Sequence, residues 1–199
     1  MNQYSLDIDS IPWHRIITTY GTAKEFPQYF KILWDMDNST QVKNALSEII
    51  SNTEHQSTLL PVTPFATIFL VDILKHTYQE MDNHTIAVFI VKEIFSFFEV
   101  IAECFHDTCE MFFIKQQNIK IFSDIYDILL EEYLLPNEYD EEDEDILIEE
   151  IMELFSEELA YNIYYYSYQA ILQCKEWLST IKSNTSITQE IQTLLALLY

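Results

Sequence analysis

A single glycine and five prolines in 199 residues leave this chain short of the residues that turn a backbone sharply. Tight hairpins need φ > 0 at one or two positions each, so an all-β fold built from many of them is excluded. Bases are scarce as well: ten lysines and arginines face 33 acids, a formal net charge of −23. Nucleic acids and anionic membranes are both gripped through cations, so neither is the expected partner. Residues 86–105 are the most apolar run, but Lys92, Glu93, Glu99 and Glu103 interrupt it, which suits a buried helix better than a membrane span. The first ten residues hold Asp7 and Asp9 and lack the positive-then-apolar order of a secretory signal, so a cytoplasmic location is expected. Three cysteines, Cys104, Cys109 and Cys174, are an odd number, and free, mostly buried thiols are the expectation.

Catalytic signatures are missing too. The chain has no GxSxG, no phosphate-binding glycine loop and no HExxH. Glu103 and His106 resemble half of a carboxylate-bridged di-iron site, but no second Glu-x-x-His follows. Cys104, His106 and Cys109 have no evident fourth zinc ligand and sit on an apolar helix, so packing is their expected role. The acidic run 138–144 lacks the alternation and the glycine of a calcium loop. The expectation is a protein that is not an enzyme and that holds no metal or cofactor.

What the chain does have is 49% hydrophobic content at helical spacing. Ser10 and Pro12 open a short helix that Gly21 would end, and a second runs over 24–36 with Pro27 in its first turn. Asn38 caps a third, with Val42, Ala45, Leu46, Ile49 and Ile50 on one face, and a polar loop 51–58 follows it. Thr63 and Pro64 start a fourth. Asn83 caps a long helix over 84–105, apolar nearly all round and expected at the centre of the core. Further helices are expected over 119–135, from Asp145 onward, over 160–182 and over 187–199, with a turn at 183–186. The sum is one all-α domain over 1–199, with about eight to nine helices.

Residues 121–174 hold sixteen carboxylates and no lysine or arginine. Within them Asp145, Glu149, Glu153 and Glu157 recur at i,i+4, one stripe of a helix whose other face is Ile148, Ile151, Met152, Phe155 and Leu159. Each like-charge pair at that spacing costs a helix roughly 0.2–0.5 kcal/mol. A solvated face that only aids solubility is the plain alternative; an anionic docking surface for a basic partner is the sharper one. Tyr161, Tyr164, Tyr165 and Tyr168 follow on the face away from Ile163, Ala170 and Cys174, and tyrosine suits interfaces because it buries much area at low entropic cost. The candidate docking residues are Tyr139, Asp140, Glu141, Glu142, Asp143, Glu144, Asp145, Glu149, Glu150, Glu153, Glu157, Tyr161, Tyr165 and Tyr168.

Tyr20-Gly21-Thr22-Ala23 with Phe26-Pro27 and Leu33, then Ala45-Leu46, His55-Gln56-Ser57-Thr58 and Thr63 through Leu70, carry a resemblance. Over residues 12–74 the chain resembles a bacterial family of HEAT-like repeat proteins, often found as immunity proteins beside polymorphic toxins. It departs from that pattern at Ser57, where the family has glycine, and at Ile68, where it often has proline. The resemblance implies an α-solenoid, with HEAT-like repeats over 12–78 and C-terminal helices with an acidic surface over 83–199. It implies a protein that binds and neutralises a cognate toxin domain, with a basic nuclease favoured by the acidic surface. A HEAT-repeat scaffold or an accessory subunit of a cytosolic enzyme is the alternative. His55 and Gln56 either satisfy backbone groups between two helices or touch a ligand.

Overall fold

The computed structural model describes residues 6–114, 119–181 and 187–199, and of residues 112–114 and 141 the backbone only. Helices carry the fold, and the strands belong to two short hairpins. Asp7 caps a 3-10 turn over Ile8–Ser10, and a second turn over Trp13–Arg15 leads into β1 (Ile17–Thr18) and β2 (Gly21–Thr22). The helix expected over 11–20 is therefore a turn and a hairpin. Ile16, Ile17, Thr18 and Thr19 are four β-branched residues in a row, which favour extended backbone over helix. Gly21, expected at a helix end, instead starts β2 with φ 108. α1 (Phe26–Asp35) has Pro27 in its first turn and ends on Met36 in the left-handed region. α2 (Ser39–Thr53) starts on Asn38, whose side chain accepts from the N–H groups of Thr40 and Gln41 at 3.0 and 3.1 Å.

The polar loop expected over 51–58 is the end of α2 plus a second hairpin, β3 (Glu54–His55) and β4 (Thr58–Leu59). Gln56 and Ser57 make its turn with φ 51 and 64, the pair of positive values that matches strand twist. α3 (Thr63–Gln79) follows, again with proline in the first turn. The two hairpins thus each precede a proline-opened helix.

α3 packs on α1, on α4 (Ala87–Ile114) and on α6 (Glu157–Leu172), and α6 also packs on α4. α3 rather than α4 is the most enclosed helix: Phe65, Ala66, Leu70 and Leu74 have no exposed surface, while α4 turns Lys92, Glu93 and Glu103 to solvent. One cluster of buried apolar residues runs from Ile11 to Leu198, with Phe26, Phe65, Phe95 and Phe98 its largest members. α7 (Lys175–Thr180) and α8 (Thr188–Leu197) close the chain, α8 against α4. The single helix expected over 160–182 breaks at Gln173, and the turn expected at 183–186 lies outside the described residues.

Where a helix was expected over 119–135, the chain forms 3-10 turns at Ile125–Leu129 and Glu131–Tyr133. Side chains take the backbone groups that a helix would use. Asn162 accepts from Phe122 N–H at 2.8 Å and donates to the Lys120 carbonyl at 2.9 Å, and Asp124 and Asp127 form a capping box. α5 (Glu144–Met152) comes next.

This acidic segment is tied down at Arg15, the chain's one arginine. Its guanidinium donates to the buried Leu135 carbonyl and to both Glu131 oxygens, at 3.1 and 2.6 Å, while Leu135 N–H donates back to the Arg15 carbonyl at 3.0 Å. The Arg15 side chain is 8% exposed and that of Glu131 81%, so solvent screens the ion pair and the shielded carbonyl is the costlier partner to lose. Beside this tie Ile17, Leu135 and Ile151 form a second, small core with Tyr139, Leu147, Ile148 and Phe155 around it. Burying a side chain of that size contributes about 1.5–3 kcal/mol, several times the cost of one like-charge helical pair.

Replacing Arg15 by Met is expected to strand the Leu135 carbonyl at about 1–3 kcal/mol. That is a fall in Tm of roughly 2–4 °C per kcal/mol, read by thermal unfolding. Glu131's carboxyl is held below its ordinary pKa by the Arg15 hydrogen bond. Its contribution is whole above the ordinary carboxylate range and is lost as pH falls through the lowered value. R15M should lack that portion of the acid sensitivity.

Candidate functional site

Both hairpins and α5 meet at one groove. A cleft of about 580 Å³ is lined by Thr18, Thr19, Tyr20 and Gly21 from the first hairpin, by His55, Gln56, Thr58 and Leu60 at the second, and by Asp145, Ile148, Glu149 and Met152 of α5. Each wall is pinned by a polar side chain from elsewhere. Asn52 of α2 accepts from the Thr18 hydroxyl at 2.9 Å and from Tyr20 N–H at 3.2 Å, fixing the first hairpin. Tyr164 of α6 donates to the Ser57 carbonyl at 3.0 Å and accepts from Leu59 N–H at 3.2 Å, fixing the second. The Arg15 tie holds the segment that leads into α5.

Gly21 is where the first hairpin meets that segment. A Cβ there would lie 3.2 Å from Glu144 Oε1, and the φ of 108 already disfavours any side chain. At the groove's mouth Tyr20 is 68% exposed, with the His55 ring edge-on at 6.1 Å. The hydroxyl of Thr19 is shielded from solvent and has no hydrogen-bond partner among the described residues.

The candidate residues named from the sequence divide into four groups. Asp140, Glu142, Asp143, Asp145, Glu149, Glu150, Glu153 and Glu157 are exposed. Tyr139 donates to Glu144 Oε2 at 2.7 Å and packs on the small core, so this half-buried pair supports the segment from inside. The Glu141 side chain lies outside the described residues.

The tyrosines pack inward, contrary to a face turned away from the core. Tyr168 is 2% exposed, stacks on Phe105 at 4.4 Å and accepts from Tyr199 N–H at 3.0 Å, so it is withdrawn from any docking surface. Tyr161 and Tyr165 are half-buried beside the same Phe105 ring, at 6.5 and 6.4 Å, and burial with the Cys109 contact pushes the Tyr161 hydroxyl up to about 12.

The unbroken acidic stripe is also corrected. α5 ends at Met152, Glu153 sits at its C-cap, and a new helix opens after Ser156, which accepts from Leu159 N–H at 3.1 Å. The break takes Glu157 out of helical register with Glu153 and so removes one like-charge pair, while Glu153 N–H still donates to the Glu149 carbonyl at 3.1 Å and stays one turn from it. Met152, expected on the apolar face, is 44% exposed at the groove.

A larger cleft of about 1160 Å³ lies between the N-terminal turn, α1 and α3. Lys24, Lys31 and Lys75 on its rim are matched by Asp7, Asp9 and Asp72, so it is close to balanced in charge where the hairpin groove is anionic. Among the described residues no group of three or more His, Cys, Asp or Glu could hold a metal ion, and no helix is long and apolar enough to cross a membrane. Burial raises all three thiols: Cys104 to about 11, Cys174 to about 12, and Cys109 in the same direction. Such thiols are protonated at neutral pH and are poor nucleophiles.

The sequence offers Tyr20-Gly21 only as motif residues and His55-Gln56 as either satisfying backbone groups or touching a ligand, and it misses Thr19, Ile148 and Met152 as groove lining and Arg15 as the tie. A lone arginine among 33 acids was the available signal for Arg15.

Gly21→Ala should lower stability by about 1 kcal/mol or more, through φ and the Glu144 contact. Tyr164→Phe removes both bonds to the second hairpin, and hydrogen exchange at Leu59 N–H should accelerate by about tenfold for a loss of roughly 1.4 kcal/mol. A thiol reagent at pH 8 should modify Cys109 slowly, and Cys104 and Cys174 only on unfolding. Since the folded pKa values are raised, the stability they represent is whole below the ordinary thiol value of about 8.5 and is lost as pH rises toward 11 and 12. Comparison with protein-family models, with curated proteins and with solved structures gives no match, so the groove and its chemistry carry the functional reading.

Proposed function

We propose that this chain is a cytoplasmic binding protein of the HEAT-like immunity type, which neutralises a basic toxin domain, such as a nuclease, by docking it on its acidic side. The observation that carries the reading is the groove in which Asp145 and Glu149 face the tips of two pinned hairpins. Tyr20-Gly21 and His55-Gln56, the residues behind the resemblance, lie at those tips. A recurring unit of hairpin, proline-opened helix and second helix, seen once from β1 to α2 and again from β3 to α4, supports the repeat reading. The deficit of bases supports a protein partner over a nucleic acid.

The physics of such a surface is steering followed by lodging. Nuclease clefts are cationic because they hold phosphate, so an anionic protein is drawn to them at up to about 10⁸–10⁹ M⁻¹s⁻¹ at low salt. Exposed Ile146 and Leu154, at 57% and 56%, lie between the carboxylates and provide apolar area for the docked state.

Co-expression with the protein encoded beside it, scored as rescue of growth, is the direct test, and absence of rescue would sink the immunity reading. Changing Glu150, Glu153 and Glu157 together to Lys should slow association by about tenfold at low salt and flatten its salt dependence, with folding intact by circular dichroism. Unchanged association would reduce the acidic face to a solubility device.

A further inference from the structure

Resting on that reading, we infer that the groove between the hairpins and α5 is the seat of one arginine-bearing loop of the partner. The volume of about 580 Å³ suits a loop of a few residues rather than a helix or a domain. Its lining is divided as an arginine side chain is divided. Leu60, Ile148 and Met152 supply apolar surface for an aliphatic stem, and Asp145 and Glu149 supply two acceptors at its end. Carboxylates one helical turn apart, about 5–6 Å between Cβ atoms, are bridged by a planar fork of five donors, while an ammonium is a point charge that meets one of them. Tyr20, 68% exposed, offers a ring face on which a guanidinium stacks.

Charge complementarity selects the occupant, because the residues lining the groove include two carboxylates and no lysine or arginine. The acceptor-rich lining disfavours an anion. A metal ion is disfavoured too, since no group of three or more potential ligands is gathered among the described residues. Asn52, Tyr164 and Arg15 hold the three walls before anything binds, which reduces the ordering cost of binding.

The test uses the full chain, labelled with ¹⁵N, and a capped pentapeptide with a central arginine flanked by glycine and serine, beside its lysine and citrulline counterparts. The arginine peptide should shift the amides of Thr19, Tyr20, His55, Gln56 and the first two turns of α5, with the lysine peptide weaker by several-fold and the citrulline peptide silent. Neutralising the pair as Asp145→Asn with Glu149→Gln should weaken arginine-peptide binding by about tenfold. The matched change Asp82→Asn with Glu176→Gln, elsewhere on the exposed surface, should leave it unaltered. Tyr20→Ala, at an exposed side chain, should weaken it by several-fold and keeps the test readable if the carboxylate variant misfolds.

Shifts spread over the acidic face without preference for the groove, or equal binding of lysine and arginine peptides, would overturn the arginine seat and leave acidic docking standing. No binding of any peptide would overturn it as well. Failure of the immunity reading is read separately, by growth rescue and by the association rate of the lysine variant at Glu150, Glu153 and Glu157.

Discussion

The molecule depends on one guanidinium. Sixteen carboxylates over residues 121–174 repel one another and have no base among them, so that segment cannot hold itself against the body by ion pairs of its own. Arg15 reaches in from the N-terminal turn and binds the Leu135 carbonyl and Glu131, and Leu135 returns a main-chain bond. A buried carbonyl accepting from an arginine is worth more than a solvent-screened surface pair, and here it comes with a small apolar core of Ile17, Leu135 and Ile151. Through that contact α5 is set against the first hairpin, and the groove exists.

Like-charge repulsion shapes the rest of this side. A continuous helix through Asp145, Glu149, Glu153 and Glu157 would stack three repulsive pairs, each modest, with no lysine to offset them. The chain instead stops after Met152 and restarts at Ser156, whose hydroxyl caps the new helix and whose followers Glu157 and Glu158 sit at its positive end. Of the carboxylates on that face, Asp145 and Glu149 within α5 line the cleft. Segments on either side of the break pack their apolar residues against different partners, α5 on the first hairpin and α6 on α3 and α4.

The tyrosines show how the same residue type serves inside and outside. Tyr168 and Tyr164 are spent on hydrogen bonds to Tyr199 and to the second hairpin, while Tyr20 stays at the surface beside His55. A phenol buried in an apolar setting keeps its proton, as the rise at Tyr161 illustrates, and so acts as a donor to carbonyls. Exposure, more than identity, separates an anchor from a strut.

Local signals settled much of the helical content from sequence. Asn38 capping α2, Pro27 and Pro64 in first turns and the apolar spacing of α3 and α4 all act within a few residues, where periodicity and backbone sterics decide. The acidic, base-poor character of the C-terminal half is likewise a matter of composition alone. Only the tertiary structure decided that residues 17–22 and 54–59 are hairpins and that Tyr168 is interior. In each case the deciding partner, Asn52, Tyr164 or Tyr199, lies tens of residues away, and a polar bond or a buried ring at that distance leaves no period in the sequence to read.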